Sequence, residues 1–233
     1  TNLSTFSSAL LFRDNRFNGG DRIGDANQLT LAISSRLINP ETGDEFLRAS
    51  IGQIRYFEDR RVSLNDVIET DNKSDLMAEF AITINNWSLT SSTQWNTDNN
   101  HSERGNFLLH YQSDSEHIFN IGLRNDRTLT DEIRQTDLSF MVPINNKFST
   151  FGRWNYSLED DRDIEVIGGI SYDSCCWSVQ FLGQRRLQFN NNIEEYDNAF
   201  MVQLVLKGLG SVSGNKVRDT LEHAILGYNE DKE

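Results

Sequence analysis

Alternation of apolar and polar side chains with a period of two residues runs through most of this chain and constrains its fold more than any other feature. In residues 78–85, one face is apolar and the other is largely polar: Ala78, Phe80, Ile82 and Ile84 against Glu79, Thr83 and Asn85. Successive side chains of a strand point to opposite faces, so this pattern predicts a β-strand. It recurs in about eleven segments, with no helical stripe before residue 216. The sequence therefore predicts an all-β, antiparallel fold.

The length of the predicted strands separates two classes of β protein. Most of them cover about 9–12 residues, whereas strands of soluble sandwiches are usually near 5–6 and membrane-crossing strands need roughly 9–11. No apolar run exceeds about four residues, against the roughly 20 that a membrane-spanning helix requires. We therefore expect a transmembrane β-barrel segment that crosses the membrane with strands. The alternative is a soluble β-sandwich binding module.

The predicted connections alternate between short turns and long loops. The short turns are Asn85-Asn86, Asp114 to Glu116, Asn145 to Lys147 and Asp173-Ser174; the long loops are residues 58–74, 97–104, 126–134, 159–163 and 188–197. Outer-membrane barrels have short periplasmic turns and long extracellular loops, so this alternation orients the chain. The last strand then runs towards the periplasm. We divide the chain into a barrel part, residues 1–209, and a short periplasmic tail, residues 210–233, whose end lies in the periplasm or in the barrel mouth.

The second face of the predicted strands is polar. Its members are Glu79, Thr83, Asn106, His110, Gln112, Asn120, Arg124, Arg153, Glu165, Gln180 and Gln203. A water-facing lumen explains these residues, because a charge on the lipid side costs roughly 2–4 kcal/mol at the membrane midplane. Single-chain bacterial barrels normally have an even number of strands, and the chain begins at Thr1 without a signal-peptide pattern. We therefore expect it to be part of a larger barrel.

Charge and composition exclude several functions. The chain carries 22 Lys and Arg against 35 Asp and Glu, a net charge of −13, which argues against nucleic acid as a partner. Its 4 histidines lack the spacing of a zinc site. Serine, histidine and aspartate are present, but no Gly-x-Ser-x-Gly elbow occurs. We expect no metal site, no cofactor, no catalytic residues and no enzymatic activity.

Cys175 and Cys176 are the only cysteines. Neighbouring cysteines pair with each other only through a strained ring, and on a strand their side chains point to opposite faces. In an oxidising compartment their partners would therefore belong to a segment outside this chain. Two reduced thiols that act as small apolar side chains remain the alternative.

Five blocks of the sequence carry a family resemblance. They are Phe12-Arg13-Asp14-Asn15-Arg16-Phe17; Gly20-Asp21-Arg22-Ile23 with Ala26-Asn27-Gln28; Gly52-Gln53-Ile54 with Tyr56-Phe57; Cys175-Cys176-Trp177; and Tyr196-Asp197-Asn198-Ala199 with Lys207-Gly208-Leu209. In this order they closely resemble the C-terminal half of the LptD family, outer-membrane lipopolysaccharide-assembly proteins once called organic-solvent-tolerance proteins. The resemblance covers essentially the whole chain, but not the family's periplasmic domain and earlier strands.

The resemblance implies a function and its partners. The full protein would insert lipopolysaccharide into the outer leaflet of the cell outer membrane of a Gram-negative bacterium. It would work with the plug lipoprotein LptE, with the periplasmic bridge protein LptA through the missing N-terminal domain, and with the barrel-assembly machinery. A generic outer-membrane channel or receptor barrel is the alternative.

The resemblance also implies two sites. Cys175 and Cys176 would form disulfides with cysteines of the missing N-terminal segment. The last strand would form one side of a lateral gate between the first and last strands of the barrel, through which lipid leaves. The gate residues of this strand are Asn198, Phe200, Val202, Leu204 and Leu206.

Overall fold

The computed structural model describes residues 2–3, 10–13, 15–18, 21–64, 66–128, 132–190, 193–206, 210–211 and 216–229. These residues form the strands β1 (Asn2–Leu3), β2 (Phe17–Asn18), β3 (Gln28–Ile38), β4 (Glu45–Tyr56), β5 (Leu76–Ile84), β6 (Trp87–Asn96), β7 (His101–Gln112), β8 (Ile118–Asp126), β9 (Ile133–Asn145), β10 (Phe148–Ser157), β11 (Arg162–Asp173), β12 (Trp177–Asn190), β13 (Ile193–Leu206) and β14 (Gly210–Ser211), and the helix α1 (Lys216–Ala224). Among them, no helix is long and apolar enough to cross a membrane.

Strands β3 to β13 form one antiparallel meander. Each strand pairs with the next one along the chain, and β14 extends the sheet beyond β13. A separate sheet joins β1 to β2. These eleven long strands confirm the number and type of elements that the period-two pattern predicts. The pattern is reliable because side chains alternate between the two faces of a strand whatever the local β-propensity.

The chain divides into two compact units. Unit 1 comprises residues 1–83, 90–106 and 125–131, and unit 2 comprises residues 84–89, 107–124 and 132–233. In unit 1, Leu11, Ile54 and Met77 form a small apolar core against which Tyr56 packs. In unit 2, a larger core joins one side chain from each of six successive strands to the C-terminal helix: Ile118, Met141, Phe151, Ile167, Leu182 and Met201 contact the cluster of Val217, Leu221, Ala224, Ile225 and Tyr228.

The connections agree only in part with the predicted alternation of loop lengths. The turns at residues 85–86 and 146–147 are as short as expected, and the connection between β4 and β5 is long. The predicted loop at residues 97–104 is reduced to residues 97–100, and the one at 188–197 to residues 191–192, which lie outside the described residues. Here β12 and β13 continue pairing as far as Asn190 and Ile193. Polar residues on both faces conceal this extension from a hydrophobicity pattern.

The turn between β7 and β8 is built around Asp114. Its carboxylate accepts hydrogen bonds from the backbone N–H groups of Glu116 (2.9 Å) and His117 (2.8 Å), and lies 2.8 Å from Nδ1 of the His117 ring. The side-chain hydrogen bond from His117, followed by those from the backbone, lowers the pKa of Asp114 from 3.8 to about 2. The ionised carboxylate therefore stabilises the turn above about pH 4, and this contribution is lost as the pH falls towards 2.

Two neighbouring glycines of β11, Gly168 and Gly169, differ in the space around them, and substituting each one tests how the unit 2 core is packed. A Cβ at Gly169 would lie 2.3 Å from the carbonyl oxygen of Phe181 and 2.4 Å from the Phe151 ring, whereas a Cβ at Gly168 would meet nothing within 4 Å. We predict that Gly169→Ala lowers the free energy of unfolding by about 1–3 kcal/mol through overpacking, and that Gly168→Ala changes it by less than about 0.5 kcal/mol. Urea unfolding in detergent measures both; equal effects would contradict this packing.

Candidate functional site

The sheet in unit 2 has apolar side chains on its exposed face, whereas its buried face combines buried polar side chains with the apolar ones that contact the C-terminal helix. On β13, Phe200 is 74% exposed, while Gln203, three residues further on and on the opposite face, is 1% exposed. On β12, Phe181 is exposed and Gln180 is buried. A soluble protein rarely exposes large apolar side chains along a whole sheet face, so this surface indicates a wall whose outer face meets an apolar medium.

Aromatic rings gather at the strand ends that flank the short turns. The ring centres of Trp87 and Tyr111 are 4.7 Å apart, beside the turn at residues 85–86. Tyr172 lies 4.8 Å from Phe148 and 5.0 Å from Trp177, where β10, β11 and β12 meet their turns. Amphipathic rings at the level of strand ends are typical of the interfacial girdles of membrane barrels.

Residues 216–229, which we call the strap, cover the buried face of unit 2. The strap begins with α1, whose residues Val217, Leu221 and Ala224 recur at helical spacing and are buried. Beyond the helix, Ile225 and Tyr228 continue the same apolar contact with the sheet. Burial of one helical stripe against the sheet explains why this segment folds as a helix despite its polar opposite side.

Four amide side chains on four different strands hold the strap. Their hydrogen bonds are Gln112 Nε2 to the Gly227 carbonyl, Asn120 Nδ2 to the Leu226 carbonyl, Gln180 Nε2 to the Tyr228 hydroxyl and the Arg218 backbone N–H to Gln203 Oε1, all at 3.1 Å. We call Gln112, Asn120, Gln180 and Gln203 the amide row. Nδ1 of His110 donates to Asn120 Oδ1 across 2.6 Å and fixes the orientation of that amide.

Gly227 permits the closest approach of the strap to the wall. Its φ is +92°, a left-handed conformation that glycine adopts without strain. A Cβ at this position would lie 2.7 Å from Gln112 Oε1 and 3.0 Å from His110 Cε1. At Gly227 the backbone of the strap therefore lies directly against the side chains of β7.

The amide row gives part of the predicted lumen set a different role from the expected one. We expected these side chains to face water, but four of them bind the strap instead. Arg153, from the same set, makes ion pairs with Asp137 (2.5 Å) and Glu165 (2.7 Å). The helical spacing of Val217, Leu221, Ala224 and Ile225 was the signal in the sequence for an amphipathic segment. The pairing of that segment with distant amides has no local signature.

The predicted gate residues all lie on β13. Along one edge, β13 pairs with β12 from Leu206 opposite Trp177 to Ile193 opposite Asn190. Along the other edge, the described residues pair only at Val205 and Leu206, opposite β14. Asn198, Phe200, Val202 and Leu204 are exposed, and Leu206 is half-buried.

Cys175 and Cys176 lie in the exposed turn between β11 and β12, not on a strand. The backbone N–H of Ser174 donates to the Trp177 carbonyl and closes this turn. The two sulfur atoms are 2.9 Å apart, longer than the roughly 2.05 Å of a disulfide bond. The expectation that strand geometry points the two side chains apart is therefore wrong, because the backbone turns between them.

In unit 1, the first two resemblance blocks hold the long connection between β4 and β5. Arg16 Nη1 and Arg60 Nε both lie 2.9 Å from Glu69 Oε2. Arg16 also donates to the Val62 carbonyl, and Arg22 to the Ser63 carbonyl. Asp14 and Gly20 of these blocks, and Lys207 to Leu209 of the last block, lie outside the described residues.

Two side chains organise this arrangement. Asp25 accepts hydrogen bonds from the backbone N–H groups of Arg61 (2.6 Å) and Val62 (3.3 Å), and the bond from Arg61 is the main cause that lowers its pKa. Phe17 is buried, with the guanidinium groups of Arg16 and Arg22 at 5.2 Å and 5.8 Å from its ring centre. The first two resemblance blocks and Asp25 therefore anchor the long connection between β4 and β5.

Comparison with known proteins gives one consistent result. The family model LptD, described as LPS transport system D, matches residues 1–154. The LPS-assembly protein LptD of Nitrosococcus oceani is 41% identical over 228 residues, covering 97% of this chain and 30% of that protein. The proteins of the same name from a Xanthomonas oryzae strain and a Xylella fastidiosa strain are each 40% identical, covering 97% and 99% of this chain and 29% and 30% of their own lengths. The chain thus spans just under a third of these relatives.

Proposed function

Because this chain belongs to the LptD family, we propose that it forms the C-terminal part of an outer-membrane translocon that inserts lipopolysaccharide into the outer leaflet. The observation that carries the proposal is the exposed apolar face of the unit 2 sheet, with Phe181, Phe200 and Val202 on it and buried amides on the opposite face. Lipopolysaccharide combines acyl chains with a polar saccharide. A wall with one apolar and one polar face keeps each part in a matching medium.

The location and the partners follow from the same proposal. The aromatic girdle beside the short turns supports an outer-membrane position, since rings of this kind lie at membrane–water interfaces. The barrel-assembly machinery would insert the strands. The plug lipoprotein LptE would occupy the lumen, and the periplasmic bridge protein LptA would deliver lipopolysaccharide through an N-terminal domain that precedes this chain.

A test of the proposal uses two adjacent residues of β5. Ile82 shares the face of Phe80 and Ile84, which are exposed, and Thr83 lies on the opposite face. In the full-length protein, Ile82→Arg should block barrel assembly and lipopolysaccharide export, because an arginine on the lipid side costs between about 1 and 4 kcal/mol depending on depth. Thr83→Arg should leave both intact. Depletion of the native protein, followed by surface labelling of lipopolysaccharide, measures export; equal tolerance would refute the membrane-facing assignment.

The edge of β13 supports one side of a lateral gate. Between Asn198 and Val202, the described part of the chain provides a backbone ladder on the β12 side alone. In a closed barrel, the other edge must pair with a strand of the same protein, because the membrane offers no hydrogen bonds. Opening the barrel at this seam leaves every ladder between consecutive strands intact. Asn198, Phe200, Val202, Leu204 and Leu206 would border the acyl chains as they leave.

The gate is tested by locking it. A cysteine at Asn198, cross-linked to one on the first strand of the full-length barrel, should stop lipopolysaccharide export while the barrel stays folded. The matched control cross-links Ile170→Cys to Phe181→Cys, which are opposite each other in the β11–β12 ladder and are not gate residues, and should leave export unchanged. Normal export with a complete cross-link at the seam would exclude this exit route.

The turn that carries Cys175 and Cys176 would tie the barrel to the periplasmic domain. Both thiols are exposed at the end of a hairpin, where partners from another segment have access. Disulfides to cysteines of the N-terminal segment would close very long loops, and such bonds typically stabilise a protein by roughly 2–4 kcal/mol. Their main effect would be to hold the domain that receives lipopolysaccharide in register with the lumen.

Single and double replacements distinguish this role from two idle thiols. Cys175→Ser or Cys176→Ser alone should be partly tolerated, because the remaining cysteine still tethers the domain. Replacement of both should abolish export. Non-reducing electrophoresis of the mature full-length protein reports the bonds directly, and unmodified thiols at both positions would overturn the assignment.

A further inference from the structure

We infer that the strap is a positioning element for β13, holding this strand to the wall from the buried face. The inference rests on the proposed function only in assigning β13 to the seam. The amide row and Gly227 are the residues that carry it, and none of them is needed to explain the membrane-facing surface.

Because β13 has few sheet partners on its second edge among the described residues, its position depends on other contacts. Its hydrogen bonds to β12 run along its whole length, but the described residues give it sheet partners on the opposite edge only at Val205 and Leu206. As the proposed seam strand, β13 keeps only the β12 ladder once the seam opens, and a strand held by one ladder separates at a lower free energy than a strand held by two. Contacts across its face therefore contribute a larger share of its stability than they do for β9, β10 or β11.

The strap supplies such contacts at one end and is anchored far away at the other. Near its start, the Arg218 backbone N–H donates to Gln203 Oε1, and Met201 packs against the buried cluster. At its end, Leu226 and Gly227 accept hydrogen bonds from Asn120 on β8 and Gln112 on β7. A displacement of β13 from β12 must therefore break the link to Gln203 or lift the strap from β7 and β8.

Two buried amides make the link between strap and strand direct. Gln180 and Gln203 are opposite each other in the β12–β13 ladder. Within the described residues, Gln180 Oε1 and Gln203 Nε2 have no hydrogen-bond partner, although one is an acceptor and the other a donor. The strap binds the other polar atom of each side chain. Gln180 Nε2 donates to the Tyr228 hydroxyl, and Gln203 Oε1 accepts from the Arg218 backbone N–H. The strap therefore sets the orientation of both amides at the junction of β12 and β13.

The test loosens the strap without touching β13. In the full-length protein, purified in lipid nanodiscs, Gly227→Ala places a Cβ against Gln112 and His110 and should release the end of the strap. Hydrogen exchange followed by mass spectrometry should show faster exchange in residues 216–229. It should also show about tenfold faster exchange in residues 198–203, the factor that corresponds to one buried hydrogen bond. Exchange in β10 and β11, which also contact the strap but keep backbone ladders on both edges, should change much less.

Gly43→Ala is the matched control. Gly43 also has a positive φ, +78°, but a Cβ there would meet nothing within 4 Å. It reproduces the backbone strain of the test variant without disturbing the strap, and should leave β13 exchange unchanged. Gln203→Leu is a milder second variant that removes the acceptor of the Arg218 N–H and should accelerate the same residues.

The outcomes are distinct from those of the transport proposal, because hydrogen exchange needs no lipopolysaccharide. Faster exchange in β13 with Gly227→Ala and Gln203→Leu, but not with Gly43→Ala, supports the strap as a positioning element. Faster exchange in the strap with unchanged β13 would overturn it, and so would uniform acceleration across all strands. Surface labelling of lipopolysaccharide in cells carrying the same variants tests the transport proposal separately.

Discussion

The antiparallel backbone ladder is the interaction on which the rest of this structure depends. It satisfies the N–H and C=O groups of each strand between its neighbours, and its pleat sends successive side chains to opposite faces. Two incompatible chemistries can therefore occupy one thin wall. Exposed Phe200 and buried Gln203 lie on the same strand because the ladder, and not the burial of apolar surface, decides which way each points.

Periodicity was enough to predict this wall. The alternation in residues 78–85 reappears as β5, and the eleven strands follow in the predicted order. The loop lengths were harder to predict from the sequence. Strands β12 and β13 extend through polar residues, and their pairing depends on the neighbouring backbone, which a hydrophobicity pattern does not reveal. Cys175 and Cys176 were assigned to a strand because the turn was predicted at Asp173 and Ser174, whereas the reversal occupies residues 174–176.

The candidate site was predictable only in outline. The sequence identified Gln112, Asn120, Gln180 and Gln203 as inward-facing polar residues, but it could not assign their partner. Each forms a hydrogen bond with a segment up to 115 residues away. The amide row illustrates a general difficulty, since a polar residue facing inward has the same pattern whether it meets water or a buried backbone group. Only the three-dimensional arrangement distinguishes the two.

The strap has a consequence for the order in which the molecule forms. Pairing between consecutive strands keeps most contacts local in sequence, so hairpins can be added one after another without large losses of chain entropy. The bonds from Asn120 to Leu226 and from Gln112 to Gly227 are exceptions that bridge 106 and 115 residues. They join a segment synthesised after β13 to strands made much earlier. The strap can therefore take this position only after the strands from β7 to β13 have formed.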